Sequence, residues 1–461
     1  MRETATPVSD QSEGRLSPAT MSKVSRRLVP FAFLLYVVCY IDRVNISFAA
    51  LQMNRDLGFS ATVYGLGAGL FFVGYVLFQV PANLILARIG ARRWVAANMV
   101  VWGVLAAAMA LTNGPRVFYA LRVLLGIAEA GFFPGMLLYF TAWFPSGERA
   151  RAVSRFMTAI PVASIVGGPI SGALLGLSGV GGIAGWRWLF LLEGLPAVLL
   201  GFVTLSYLDD RPAEARWLTA AERAEIAHAL ESEAGAEDHS ATLSQALSKS
   251  TVWIMALLWL LVLVPAYGVS LWLPQIVRDL FRQNDLIVGF LVAIPQVVGI
   301  AATIGVGASS DRTRERYLHI AIPVFAGAAA LLAAVWLASP VLVLVALSVF
   351  TAAPMAMYGP FWALPPKFLR GTAAAGGIAF INSVGNLGGF AGPYVLGAVK
   401  DATGSFSTAL LGGSGLMLAA GLVALALAVS SRRAAARVSA GGPATTSAPD
   451  GCGPGGFGST S

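Results

Sequence analysis

Asp42 and Arg43 stand side by side in LVPFAFLLYVVCYIDRVNISFAAL, an apolar stretch long enough to cross a membrane as a helix. A charge near the middle of such a helix costs roughly 2.5–3.5 kcal/mol on insertion scales, so charges kept there face a polar pathway or a partner. Arg122 and Glu129 interrupt a second apolar stretch in the same half of the chain. A guanidinium offers a planar two-point fork to an anion, and a carboxyl in an apolar setting can take up and release a proton. Together the four residues suit anion capture coupled to proton exchange, provided that helices carry them to a common depth.

Counting at 1.5 Å per residue from a first span that ends near Ala50, Asp42 lies about 12 Å below the surface. A fourth span starting near Arg116 puts Arg122 about 9 Å below the same surface, so Asp42 and Arg122 sit at similar depth and could pair. Glu129, two turns further on, lies on the same face about 10 Å deeper. Arg43 is turned by about 100° from Asp42 and need not share its partner. With all four ionised the set is neutral. A bound carboxylate adds negative charge that protonation of Asp42 or Glu129 would remove, so proton and anion should favour each other's binding.

The elements that must position these groups are legible in composition. Of 461 residues, 57% are hydrophobic and 12% charged, about half the charge of a soluble domain. Apolar runs of about 20 residues recur from end to end. The reading is an all-α membrane protein with twelve transmembrane helices in two six-helix pseudo-repeats. Spans fall near 28–50, 63–86, 94–112, 116–140, 151–177 and 186–207, then near 251–273, 286–308, 318–338, 341–363, 374–398 and 407–430. The divisions are an N-terminal tail (1–27), a first bundle (28–208), a central connector (209–250), a second bundle (251–430) and a tail (431–461) whose Gly-, Ala-, Ser- and Pro-rich end predicts disorder.

The first twenty residues lack the apolar core of a cleavable signal, so the first span should insert as an uncleaved anchor. Lys and Arg concentrate in the loops that include Lys23, Arg88, Arg151, Arg312 and Lys367 and in the connector, which places both termini in the cytoplasm of a bacterial inner membrane. The net charge of +8 follows these loops and calls for a lipid bilayer as partner rather than nucleic acid. Cys39 and Cys452, the two cysteines, have neither a disulfide nor a metal-ligand pattern. No cofactor motif, phosphate loop or nucleophile elbow appears, which argues against an enzyme. Within the connector, Thr219 and Glu222 have the spacing of a capping box at the start of a short helix.

The loop after span two reads NLILARIGARR and that after span eight GASSDRTRER; aligning Arg88 with Arg312 superposes the two halves. Two such halves around a midplane site are the plan of an alternating-access carrier. The loops resemble the signature of the major facilitator superfamily, as candidate gating loops: Arg88, Gly90, Arg92 and Arg93 in the first copy, where Ala87 replaces the usual Asp, and Gly307, Asp311, Arg312 and Arg316 in the second, where Arg314 replaces the inner Gly. YIDRVNISFAAL, RVLLGIAEAGFFPGMLLYFTAWFPSGERARA, GWRWLFLLEGLPA and INSVGNLGGFAGPY are further similar to the anion:cation symporter family, whose members include permeases for tartrate, phthalate, galactonate and hydroxyphenylacetate.

That resemblance implies a carboxylate-binding Arg43, proton-coupling Asp42 and Glu129, and Arg122 as partner of Asp42. It also implies substrate contact at Tyr75, with Gln79 one turn on. Asn382 and Asn386, on one face of span eleven, are candidates for substrate contacts, since the second half has almost no ionisable groups within its spans. Tyr358 and Trp362 could line a cavity or mark the lipid interface. GGPISG and GGFAGPY permit close helix approach, and His228, His239 and His319 are expected to be solvated. The expected activity is import of a small organic anion with protons by a monomer; efflux or antiport remains the alternative and a membrane receptor a remoter one. An aromatic-rich lining favours an aromatic acid as substrate, the motifs tartrate.

Overall fold

The computed structural model describes residues 16–234, 243–369 and 371–440. Among them regular structure is helical throughout. The membrane helices are α1 (Pro18–Leu57), α2 (Ala61–Ile89), α3 (Ala91–Ala108), α4 (Pro115–Thr141), α5 (Ser146–Leu175) and α6 (Gly185–Tyr207), then α7 (Ser250–Phe281), α8 (Asp285–Thr313), α9 (Tyr317–Trp336), α10 (Pro340–Trp362), α11 (Gly371–Thr403) and α12 (Ser407–Ala440). Eleven are long and apolar enough to cross a membrane. The twelfth, α11, matches them in length, but Asn382, Asn386 and its many glycines dilute its apolarity. Cys452 and His239 lie outside the described residues, as does the C-terminal stretch expected to be disordered.

Local sequence explains the ends and breaks. Ser17 accepts the Ala19 N–H with Pro18 in the first turn, and Gly58 closes α1 in the left-handed region (φ 64°). In α4 the helix breaks at Ala130–Gly131, between Pro115–Glu129 and Phe132–Thr141. Pro134 clashes with the carbonyl four residues back, which lies at that break. Glu129 is thus the last residue of the first segment.

Within the first six helices the principal pairs are α3–α6, α2–α4 and α1–α5; within the second six they are α9–α12, α8–α10 and α7–α11, with α9–α10 as extensive as α9–α12. Adding six to each member of the first set gives three of the four in the second, and α9–α10 is closer than its counterpart α3–α4. The main contacts across the halves, α2–α11, α5–α8 and α1–α7, obey the same exchange. The repeat read from hydropathy is therefore a repeat of packing.

The connector carries a helix, Ala220–Ala234, started by the expected capping box: Thr219 N–H donates to Glu222 Oε2 (2.8 Å) and Glu222 N–H to Thr219 Oγ1 (3.2 Å). It straps the tail end of α1 through Lys23–Glu222 (2.8 Å) and Thr20–Glu225 (2.9 Å), and reaches α5 through Ser146–Glu233. Trp217 stacks on Trp143 with planes 10° apart, and the Arg27 guanidinium lies over both Trp217 and Tyr207.

The signature loops differ in their chemistry. In the first, Gly90 (φ 85°) separates α2 from α3, and Asp210 of the connector accepts the Arg92 N–H (2.8 Å), supplying a carboxylate that Ala87 cannot. Arg92 also donates to Leu205 O, while Arg88 and Arg93 are exposed. In the second, Arg314 stands at the inner Gly position and takes the left-handed conformation (φ 55°); Asp311 pairs with Arg316 (2.7 Å) and Arg312 is exposed. His319 contacts Glu315 and Ser309.

Candidate functional site

The hydrogen bonds that join the two halves among the described residues lie at the ends remote from the connector. Gln52 donates to Asp285 (2.8 Å), Arg278 to Leu51 O (2.8 Å) and Tyr64 to Leu271 O (2.7 Å), and Asp401 of α11 accepts the Ala61 and Thr62 N–H groups that start α2. Gly168 of α5 and Gly289 of α8 meet backbone to backbone; a Cβ on Gly289 would lie 2.3 Å from Gly168 O. The halves are thus clamped at that far side.

Below the clamp, between the halves, lies a cavity of about 190 Å³ lined by Tyr40, Ser164, Tyr267, Ser270, Gln296, Phe350, Thr351 and Met355 among others. Tyr40 and Tyr267 are within electrostatic reach of Arg43. Arg43 donates through Nε and a terminal nitrogen to Glu129 Oε2 at 3.1 and 2.9 Å, with Cys39 Sγ 3.8 Å from the same oxygen. The Arg43 guanidinium also lies over Phe71 (5.4 Å) and Tyr75 (5.1 Å). Glu129 is almost fully buried, whereas Arg43 keeps 16% of its side chain exposed. The arginine is the accessible member of the pair.

Asp42 and Arg122 do not pair, contrary to the depth count. Asp42 accepts the Trp102 indole N–H (2.8 Å) and an Asn45 amide N–H (3.4 Å), and Arg122 donates to Gly67 O and Ala68 O of α2, its guanidinium 4.9 Å from the Phe71 centroid. The reason is helix length. α1 runs to Leu57 rather than Ala50, so Asp42 is about 22 Å from that end while Arg122 is about 10 Å from the start of α4. Arg43 and Glu129 are each fourteen residues from those two ends, so they are level and meet.

The other expected positions divide. Tyr75 is buried beneath Arg43, and Gln79 is half-buried one turn on. Asn386 is buried and Asn382 half-buried, and neither side chain is hydrogen-bonded among the described residues. Tyr358 and Trp362 cluster with Trp259 and Phe361, and neither lines the cavity. Sequence reading passed over Tyr40, Tyr267, Gln296, Trp102 and Glu193. Glu193 carried a readable signal, a lone acid inside the apolar run of span six; the others needed coordinates.

Residues 32–393 match the family model of the Major Facilitator Superfamily. A protein of Agrobacterium vitis named "Putative tartrate transporter" is 45% identical over 91% of this chain and 93% of its own length. A "Quinolone resistance transporter" of Acinetobacter baumannii is 42% identical over 84% of this chain and 90% of its own. Among solved structures, a bacterial homologue of the human lysosomal transporter Spinster, inward-facing and unoccupied, superposes with a TM-score of 0.69 at 18% identity over 89% of this chain and 95% of that one. A D-xylose–proton symporter superposes with 0.69 at 17% identity over 87% and 97%.

Proposed function

The chain belongs to the Major Facilitator Superfamily, and from that premise we propose that it imports a small organic carboxylate by proton symport through alternating access. The observation that carries this reading is the Arg43–Glu129 pair. Glu129 occupies the fork that a substrate carboxylate would need. A proton on Glu129 weakens its hold on Arg43, so the guanidinium becomes free to take an external carboxylate at no net change of charge. Proton and substrate then bind cooperatively, as symport requires. In this scheme Asp42 is a second proton acceptor, Arg122 fixes α4 against α2, Tyr75 and Gln79 border the substrate, and Asn382 and Asn386 meet it from α11. Two bundles, 28–208 and 251–430, rock about the site, and the Lys- and Arg-rich connector side faces the cytoplasm of the inner membrane. The signature loops, with Arg88, Gly90, Arg92 and Arg93 opposite Asp311 and Arg312, act as gates, and the monomer is the working unit.

Tartrate is the first substrate to test, because two relatives at 45% identity carry it in their names. In proteoliposomes with an inward proton gradient, tartrate uptake should acidify the lumen. Net tartrate uptake without acidification of the lumen would sink symport. A second reading, drug export by proton exchange, draws on the quinolone-resistance relative and the aromatic wall of the cavity. It predicts that a quinolone moves against protons and that Arg43→Ala leaves that movement intact.

A further inference from the structure

Three carboxyls are buried in the first six helices, Asp42 (5% exposed), Glu129 (2%) and Glu193 (6%), against two guanidiniums, Arg43 and Arg122. Arg43 engages Glu129 and Arg122 engages the α2 backbone, so neither compensates the other two acids. Asp42 and Glu193 form a separate polar cluster. Asn45 lies between them: its amide donates to Asp42 Oδ1 (3.4 Å) and also approaches Glu193. Ser171 of α5 donates to Glu193 Oε1 (2.8 Å), and Oε2, fully buried, has no hydrogen-bond partner among the described residues.

Among the described residues, the neighbours of Glu193 supply no positive charge. α6 packs on α1, α3 and α5. α1 presents Asp42 and Asn45; α3 presents the Trp102 indole, its own charges being Arg92 and Arg93 at the connector end; α5 presents Ser171, its charges ending at Arg155. Glu129, from α4, adds a further negative charge near Asp42. On α6 itself Arg187 is bound to Ala110 O and Thr112 O. An ionised Glu193 would be a buried anion with one oxygen unsatisfied and no cation against it, an unfavourable arrangement.

We propose that Glu193 is a third proton-binding carboxyl of the first bundle, holding a proton on Oε2 in this conformation. Glu193 Oε1 takes the Ser171 hydrogen bond, and Oε2, with no donor among the described residues, is the oxygen that carries the proton. Asn45 ties the two, so movement of α1 against α6 changes which carboxyl holds the proton. That coupling rests on the symport reading, whereas the resting protonation does not.

Infrared absorption of the purified full chain in lipid at pH 7, without substrate, tests it. The expected result is a protonated-carboxyl C=O band that persists in Glu129→Gln, disappears in Glu193→Gln and shifts in Ser171→Ala, which releases the hydrogen bond on Oε1. Absence of the band in the wild type, or its persistence in Glu193→Gln, overturns the proposal. Should Glu193→Gln not fold, an unshifted band in Ser171→Ala does the same. A chain that carries the band yet moves no protons with tartrate would refute symport and leave Glu193 protonated.

Discussion

Both guanidiniums reach the Phe71 ring, Arg43 at 5.4 Å and Arg122 at 4.9 Å. The two arginines have different partners, a carboxylate for Arg43 and a pair of backbone carbonyls for Arg122. Arg43→Lys keeps the charge but loses the fork. With charge-assisted hydrogen bonds contributing about 1.5–3 kcal/mol, tartrate affinity should fall at least about tenfold, read as a raised KM for uptake. A wild-type KM would remove Arg43 from the site. Trp102→Phe deletes the indole donor to Asp42 and should lower the thermal midpoint, at a cost of about 1.5–3 kcal/mol. The presence of intramembrane charges was legible in sequence; their pairing was not, because it depended on seven unforeseen residues of α1 that moved Asp42 away from Arg122 and brought Arg43 level with Glu129.

Among elements, the α5–α8 crossing and the Asp401 cap on α2 close the far side. GGPISG announced close approach, but its partner, Gly289, is a single glycine in an otherwise ordinary run, so the seam itself could not be read from sequence. Asp401→Ala removes a cap worth about 1 kcal/mol, which shifts a two-state balance roughly fivefold. Spin labels on the far ends of α2 and α11 should then show a longer distance, and an unchanged distribution would deny the cap a gating role. The connector behaves differently. Lys23, with the Thr219 backbone and hydroxyl, holds the Glu222 carboxyl below its ordinary range. A depressed folded value means that this support is complete above the ordinary carboxylate pKa of about 4.3 and fades as pH falls through the folded value. Hydrogen-exchange protection at the start of the connector helix, taken relative to the intrinsic rate at each pH, should therefore be constant near neutrality and fall only in acid; Glu222→Gln should abolish that acid response.

At the scale of the molecule, packing is symmetric and charge is not. The pairs α1–α5, α2–α4 and α3–α6 recur six helices later, yet every buried acid and arginine of the candidate site lies in the first half, while the second contributes Tyr267, Gln296 and two asparagines. Such a division lets one half bind protons and the charged group while the other reads the rest of the substrate. Repeat and asymmetry were both visible as hydropathy and charge along the chain, whereas the cavity, assembled from α1, α5, α7, α8 and α10, required the fold. If protons enter through the first half alone, Glu129→Gln should uncouple the cycle without stopping it. Each proton carried down an inward gradient of one pH unit contributes about 1.4 kcal/mol, or roughly tenfold accumulation of tartrate. The variant should lose that accumulation and still exchange external for internal tartrate, because a glutamine leaves Arg43 permanently free for carboxylate. Accumulation as in the wild type would mean that coupling runs through Asp42 and Glu193 instead, and loss of both exchange and accumulation would make Glu129 a structural partner of Arg43.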